Sequence, residues 1–140
     1  MRTLVVGTGE VGTAIREYAE SEGLHLDVRS RSTTPPFDAE SEDDAAYSAT
    51  YDRIIWCCDA SPYKVLEHFH GDFTLVSTIQ VFTPSEYGRR KAAVEHLCLS
   101  AQLNSLSIWR FGYIFGRGEE PTRLIPAIVS GIISRTDDSV

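Results

Sequence analysis

Leu4-Val5-Val6-Gly7-Thr8-Gly9-Glu10-Val11-Gly12 is the stretch whose reading decides the fold. Residues 2–7 form a short apolar run closed by glycine, the pattern of a strand buried on both faces. Residues 10–22 then carry Val11, Ala14, Ile15, Tyr18 and Ala19 at helical spacing, and Gly23 stands where a capping glycine belongs. A strand, then Gly-x-Gly-x-x-Gly, then a helix is the context that a dinucleotide fingerprint requires. In it Gly7 permits the tight turn, Gly9 the close approach of a pyrophosphate, and Gly12 the packing of helix on strand. The helix N-terminus adds unpaired N–H groups and partial positive charge, so Glu10 and Val11 of its first turn join the expected cofactor-binding set. The same residues also read as a glycine-rich βα turn without a ligand.

Downstream, Leu24–Arg29 alternates into a second strand, and residues 30–52 read as a long loop with at most a helical turn near 42–49. Arg53–Cys58 is an apolar strand, 62–70 a short helix, and Phe73–Phe82 a further strand. Thr83-Pro84-Ser85-Glu86 predicts a helix start, with a capping-box residue at each end and proline in the first helical position. That helix is expected to run to about Gln102, followed by a strand over Leu106–Phe111, a loop, and a last helix over Leu124–Ser134. Strands alternating with helices imply α/β architecture: one domain with a Rossmann-like, doubly wound parallel sheet, covered on both faces and joined by right-handed crossovers.

Composition narrows the function classes. The 140 residues are 42% hydrophobic and 24% charged, ordinary for a globular domain. A net charge of −7 argues against a nucleic-acid partner, which would call for a basic surface. No apolar run reaches the roughly 18 residues of a membrane span, and residues 1–6 run straight into a strand, so neither a membrane segment nor a signal peptide is expected. Cys57, Cys58 and Cys98 lack metal-type spacing and read as thiols in a reducing compartment, the cytoplasm. The four histidines form no ligand set, so no metal is expected.

Chemistry enters with Tyr87 and Lys91. Positions i and i+4 of a helix share one face, so a lysine ammonium there can stand beside a phenol and favour its ionised form. The second strand ends Val28-Arg29-Ser30-Arg31, with no acid at its tip to accept from ribose hydroxyls, and Asp27 lies too early. Ser30 and Arg31 suit a phosphate instead, which favours NADP over NAD, although the stretch also reads as a solvated basic loop.

Four blocks, in this order, resemble the Rossmann part of the extended or atypical short-chain dehydrogenase/reductases, the group containing nucleotide-sugar epimerases, dehydratases and dTDP-4-dehydrorhamnose reductases. They are Val5–Gly12; Leu75-Val76-Ser77-Thr78-Ile79-Gln80-Val81-Phe82; Tyr87-Gly88-Arg89-Arg90-Lys91-Ala92-Ala93-Val94-Glu95; and Trp109-Arg110-Phe111-Gly112-Tyr113-Ile114-Phe115-Gly116. The resemblance implies a fold, a cofactor and roles. Tyr87 would be the acid/base, Lys91 its electrostatic partner and the holder of the nicotinamide ribose, and Thr78 the donor to the substrate oxygen. At the family's spacing after Gly23, the cofactor-selecting position falls on Ser30, followed by Arg31. Cys58-Asp59-Ala60 would replace the small-residue loop along the adenosine and ribose, and backbone around Phe111–Ile114 would meet the nicotinamide.

The activity so implied is NADP(H)-dependent hydride transfer to or from a carbonyl or alcohol on a small molecule, with nucleotide sugars among the candidates. A homodimer formed through the Tyr87 helix is also implied. The alternative is a non-catalytic cofactor-binding regulatory or scaffold domain. Two departures favour it: the family's usual motif is Gly-x-x-Gly-x-x-Gly, and its members are considerably longer. The dinucleotide-binding domain would span 1–116, leaving 117–140 as a remnant of the substrate lobe. Blander readings stand beside the functional ones. Tyr87 can simply pack at a helix start, Thr78 can be an ordinary β-branched strand residue, and Arg110 an ion-pairing strand end. Glu95 is expected on the helix surface beside Lys91 or Arg90, with Arg89 and Arg90 solvated.

Overall fold

β1 (Thr3–Val6) is buried along its whole length because it has a neighbour on each edge and a covering on each face. In this computed structural model, which describes residues 1–112, it pairs in parallel with β2 (Asp27–Arg29) on one side and β3 (Arg53–Trp56) on the other. β4 (Asp72–Thr78) pairs with β3, and β5 (Ser105–Phe111) with β4, each in parallel. The order is β2-β1-β3-β4-β5. The connections are α1 (Glu10–Ser21), α2 (Glu42–Ser48), α3 (Tyr63–His68) and α4 (Glu86–Leu99). The α/β, doubly wound parallel architecture is therefore present as expected.

That order decides where a ligand can sit. The chain leaves β1 toward β2, then crosses back over β1 to lay down β3. The two loops therefore diverge between β1 and β3, and this switch point opens a crevice at the C-terminal ends of the strands. Right-handed crossovers place α1 on one face and α2, α3 and α4 on the other.

The main core lies on the three-helix face. Trp56, fully buried, stacks on Phe73 with ring centroids 6.2 Å apart and meets Phe37 edge-on at 6.4 Å. Phe37 explains how the loop after β2 is held, since its side chain is a core residue although it follows two prolines. The indole N–H of Trp56 donates to the Ala60 carbonyl at 2.9 Å, which ties the loop after β3 to the core.

Several boundaries differ from expectation. Gly23, with φ +68, caps α1, and Leu24 N–H bonds back to the Ala19 carbonyl, so β2 begins only at Asp27. β4 ends at Thr78, whose hydroxyl oxygen accepts from Gln80 N–H and turns the chain into a 3-10 segment over Ile79–Phe82. The cap of α4 is Ser85 rather than Thr83: its Oγ accepts from Gly88 N–H at 3.0 Å, and Pro84 lies before the helix. The helix ends at Leu99, not near Gln102. The expected helix over Leu124–Ser134, the 117–140 segment and residues 113–116 of the fourth block lie outside the described residues.

Candidate active site

The glycine turn is built by contacts between backbones. Gly7 has φ +119, and a Cβ there would lie 2.9–3.1 Å from the Cys57–Cys58 peptide just past the end of β3. A Cβ on Gly12 would lie 2.0 Å from the Gly7 carbonyl oxygen. The fold itself thus requires both glycines. Gly9 is different: its φ is −73, and nothing in the chain lies within 4 Å of the place a Cβ would take. It is also the N-cap of α1 and, as glycine, supplies no side-chain cap to the first turn that borders this space. Room of this kind at a helix N-terminus fits a pyrophosphate.

A cleft of about 450 Å³ continues from this turn across the switch point. Glu10, Lys91, Thr78, Tyr87 and Phe111 line it, drawn from α1, α4, β4 and β5. The volume lies within the usual range for small-molecule sites. Thr78 is buried, and its oxygen already accepts from Gln80 N–H. Among the described residues its hydroxyl proton has no acceptor, so Thr78 can donate to an oxygen in the cleft. Gly88 lets α4 come this close: a Cβ there would lie 2.1 Å from the Gln80 carbonyl oxygen. Tyr87, half-buried, is thereby seated beside the 3-10 segment that follows Thr78. Its ring is flanked by two cations, with Arg90 Cζ 5.6 Å and Lys91 Nζ 5.8 Å from the centroid.

Lys91 is buried, and its ammonium contacts Asp59 Oδ1 at 2.9 Å. Asp59 lies on the loop after β3 and is 69% exposed at its side chain. Alternation along that loop separates its residues. Cys57 lines the cleft with Asp59, whereas Cys58 and Ala60 pack against the core. Burial pushes the Cys57 thiol up to about 12, with the adjacent Cys58 adding and Lys91 opposing, so it remains a neutral thiol at physiological pH. Gln80 and Cys57 were not singled out from sequence. The 3-10 break that aims Gln80 at the cleft leaves no mark in a stretch that reads as continuous strand.

Ser30 and Arg31 sit at the tip of β2, outside this cleft but beside the glycine turn. Ser30 Oγ accepts from Thr8 Oγ1 at 3.1 Å and contacts Ser32 Oγ at 3.0 Å, while Arg31 is exposed. Asp27 points away and accepts from the Tyr51 hydroxyl. The strand tip therefore presents hydroxyls and a guanidinium in place of a carboxylate.

Glu95 is not on the helix surface. One turn beyond Lys91, it is buried and receives Ser77 Oγ at 2.6 Å and a bidentate grip from Arg110, at 2.6–3.1 Å. The cluster joins α4, β4 and β5 directly behind Lys91, Thr78 and Phe111. Burial pushes the Glu95 carboxyl up, but the hydrogen bonds from Arg110 and Ser77 and the Arg110 charge together outweigh it and hold it below the usual 4.5. A lowered carboxylate contributes stability above its unfolded pKa and loses it as pH falls. Glu95→Gln should therefore cost about 1–3 kcal/mol at pH 7. It should also shrink the stability lost between pH 7 and pH 3. Urea midpoints at the two pH values check this, and equal acid losses in variant and wild type would refute it.

No protein-family model matches this chain, and no curated protein sequence does. Nine chains of solved structures are similar, three of them as follows. The capsular polysaccharide assembling protein CapF from Staphylococcus aureus aligns with 96% of this chain at a TM-score of 0.72 and 20% identity. ChuY from E. coli strain CFT073 aligns with 99% at 0.66 and 19%, and the UDP-N-acetylglucosamine 4-epimerase from Bacillus cereus with 85% at 0.64 and 17%. This chain shares their fold. It spans 42% of the CapF chain, 63% of the epimerase and 91% of ChuY. Among the described residues no helix is long and apolar enough to cross a membrane, and no group of three His, Cys, Asp or Glu is placed to hold a metal.

Proposed function

We propose that this chain is an NADP(H)-binding oxidoreductase of the short-chain dehydrogenase/reductase type, acting on a carbonyl or alcohol of a small molecule. One observation carries the reading: Thr78, Tyr87 and Lys91, from two different elements, line the same cleft as the first turn of the helix that follows Gly9. The structural likeness to a nucleotide-sugar epimerase makes nucleotide sugars one candidate substrate class. The open position at Gly9 and the α1 N-terminus would hold the pyrophosphate, and Lys91 the nicotinamide ribose. Ser30 and Arg31 would take the 2′-phosphate. When bound, the nicotinamide supplies or accepts the hydride. Thr78 donates to the substrate oxygen, and Tyr87 exchanges a proton with that oxygen, its charge balanced by the nearby lysine. The strand end beneath Thr78 is held by the Ser77–Glu95–Arg110 cluster, which fixes the distance between donor and acid/base.

Calorimetric titration tests the cofactor half. NADPH should bind about tenfold more tightly than NADH, and Arg31→Ala should bring the two together. Tighter binding of NADH would overturn the assignment of Ser30 and Arg31. A second reading, a cofactor-binding domain without turnover, is favoured by the pairing of Lys91 with Asp59. We also propose a homodimer through α4, whose outward side leaves Leu99 66% exposed. Sedimentation at micromolar concentration should give twice the chain mass, and a monomer would remove this part.

A further inference from the structure

Lys91 is the only cation among the described residues lining the cleft, and Glu10 and Asp59 line it with negative charge. Among the described residues that ammonium is the one positive side chain the cleft itself offers an anionic dinucleotide. Yet Lys91 Nζ is already held at 2.9 Å by Asp59, on the loop after β3. The partners are unequal: the lysine side chain is 9% exposed and the aspartate 69%. A buried ammonium without a counter-ion is strongly disfavoured, so the free protein needs Asp59 where it is. The exposed carboxylate, by contrast, can turn into solvent at little cost. We propose that Asp59 is a latch on the cofactor site, a counter-ion that occupies Lys91 in the free protein and is displaced when a dinucleotide ribose takes the ammonium. The latch rests on the reading of the cleft as a dinucleotide site. It makes binding competitive with an internal ion pair and sets the affinity below what the cleft would otherwise reach.

Asp59→Asn keeps the shape and removes the charge, leaving Lys91 in need of an acceptor that the ribose supplies. The variant should bind NADPH about fivefold more tightly than wild type by calorimetry, the scale of a partly exposed ion pair. Equal or weaker binding overturns the latch, and weaker binding makes Asp59 a ligand of the ribose instead. A second measurement needs no cofactor. The chain has two lysines, Lys64 and Lys91, so the side-chain ammonium signals of the ¹⁵N-labelled protein are assigned with a single Lys64→Arg variant. The Lys91 signal should shift and exchange faster with solvent in Asp59→Asn, and an unchanged signal overturns the latch by removing the pair itself. If the Lys91 signal responds but neither protein binds NADPH or NADH, the pair is real and the dinucleotide reading falls, taking the latch with it.

Discussion

Replacing Gly12 by alanine should cost about 3 kcal/mol or more, while the same change at Gly9 should cost no more than the roughly 1 kcal/mol of a weakened N-cap and abolish dinucleotide binding. Two effects oppose each other at Gly12. It lies inside α1, where alanine is favoured over glycine by roughly 1 kcal/mol on propensity alone. Against that, the new Cβ would fall 2.0 Å from the Gly7 carbonyl oxygen and 2.9 Å from its carbon. Both are backbone atoms of a turn pinned by Gly7 N–H to the Arg29 carbonyl, with Cys57 N–H bonded to Val6 alongside, so neither side can yield without opening the sheet. Sterics wins by a margin that is large against the 5–15 kcal/mol total of a typical domain.

At Gly9 neither effect operates, because the backbone is in an ordinary region and the Cβ meets no atom. The N-cap position favours glycine over alanine modestly, and only a ligand makes glycine necessary there. Urea unfolding followed by circular dichroism reads the first effect, and calorimetry with NADPH the second. A Gly12→Ala protein with the wild-type midpoint would contradict the packing argument, and a Gly9→Ala protein that binds NADPH normally would leave Gly9 without a ligand.

The same contrast explains what the sequence made legible. β1, β3 and β4 are apolar runs and α1 is amphipathic, so their type follows from local pattern alone. The Gly7–Gly12 turn is equally local. Boundaries set by a single hydrogen bond were not legible: Thr83 and Ser85 are both sound caps, and only the place where Gly88 N–H points chooses between them. The end of β4 at Thr78 depends on its own hydroxyl, which outcompetes the strand ladder for Gln80 N–H. Glu95 was misplaced for a longer-range reason. Its partner Arg110 is fifteen residues away on β5, whereas Lys91 and Arg90 are four and five residues back on the same helix and suggested a surface pair. Asp59 follows the same rule, since the parallel pairing of β3 with β4 sets the loop after β3 beside α4, and no local spacing announces its meeting with Lys91.

Tyr87→Phe should lower carbonyl reduction by about 10²–10⁴-fold and leave NADPH affinity within about twofold of wild type. The change deletes one hydroxyl and nothing else. The ring keeps its place through the Gly88 contact with the Gln80 carbonyl and through Arg90 and Lys91, whose attraction to the ring face does not need the oxygen. Thr78→Val removes the other polar contact to the substrate oxygen and should act on the same step, so the double variant should be little worse than Tyr87→Phe alone. A merely structural tyrosine predicts the opposite pattern, with a lower unfolding midpoint and unchanged turnover. The panel needs simple aldehydes and ketones as well as nucleotide sugars, because a cleft of about 450 Å³ must seat part of a cofactor beside its substrate. If the wild type binds NADPH and reduces no member of that panel, the proton-transfer geometry serves binding alone. The chain is then a cofactor-binding domain without turnover, in which Lys91 serves the ribose and Tyr87 moves no proton.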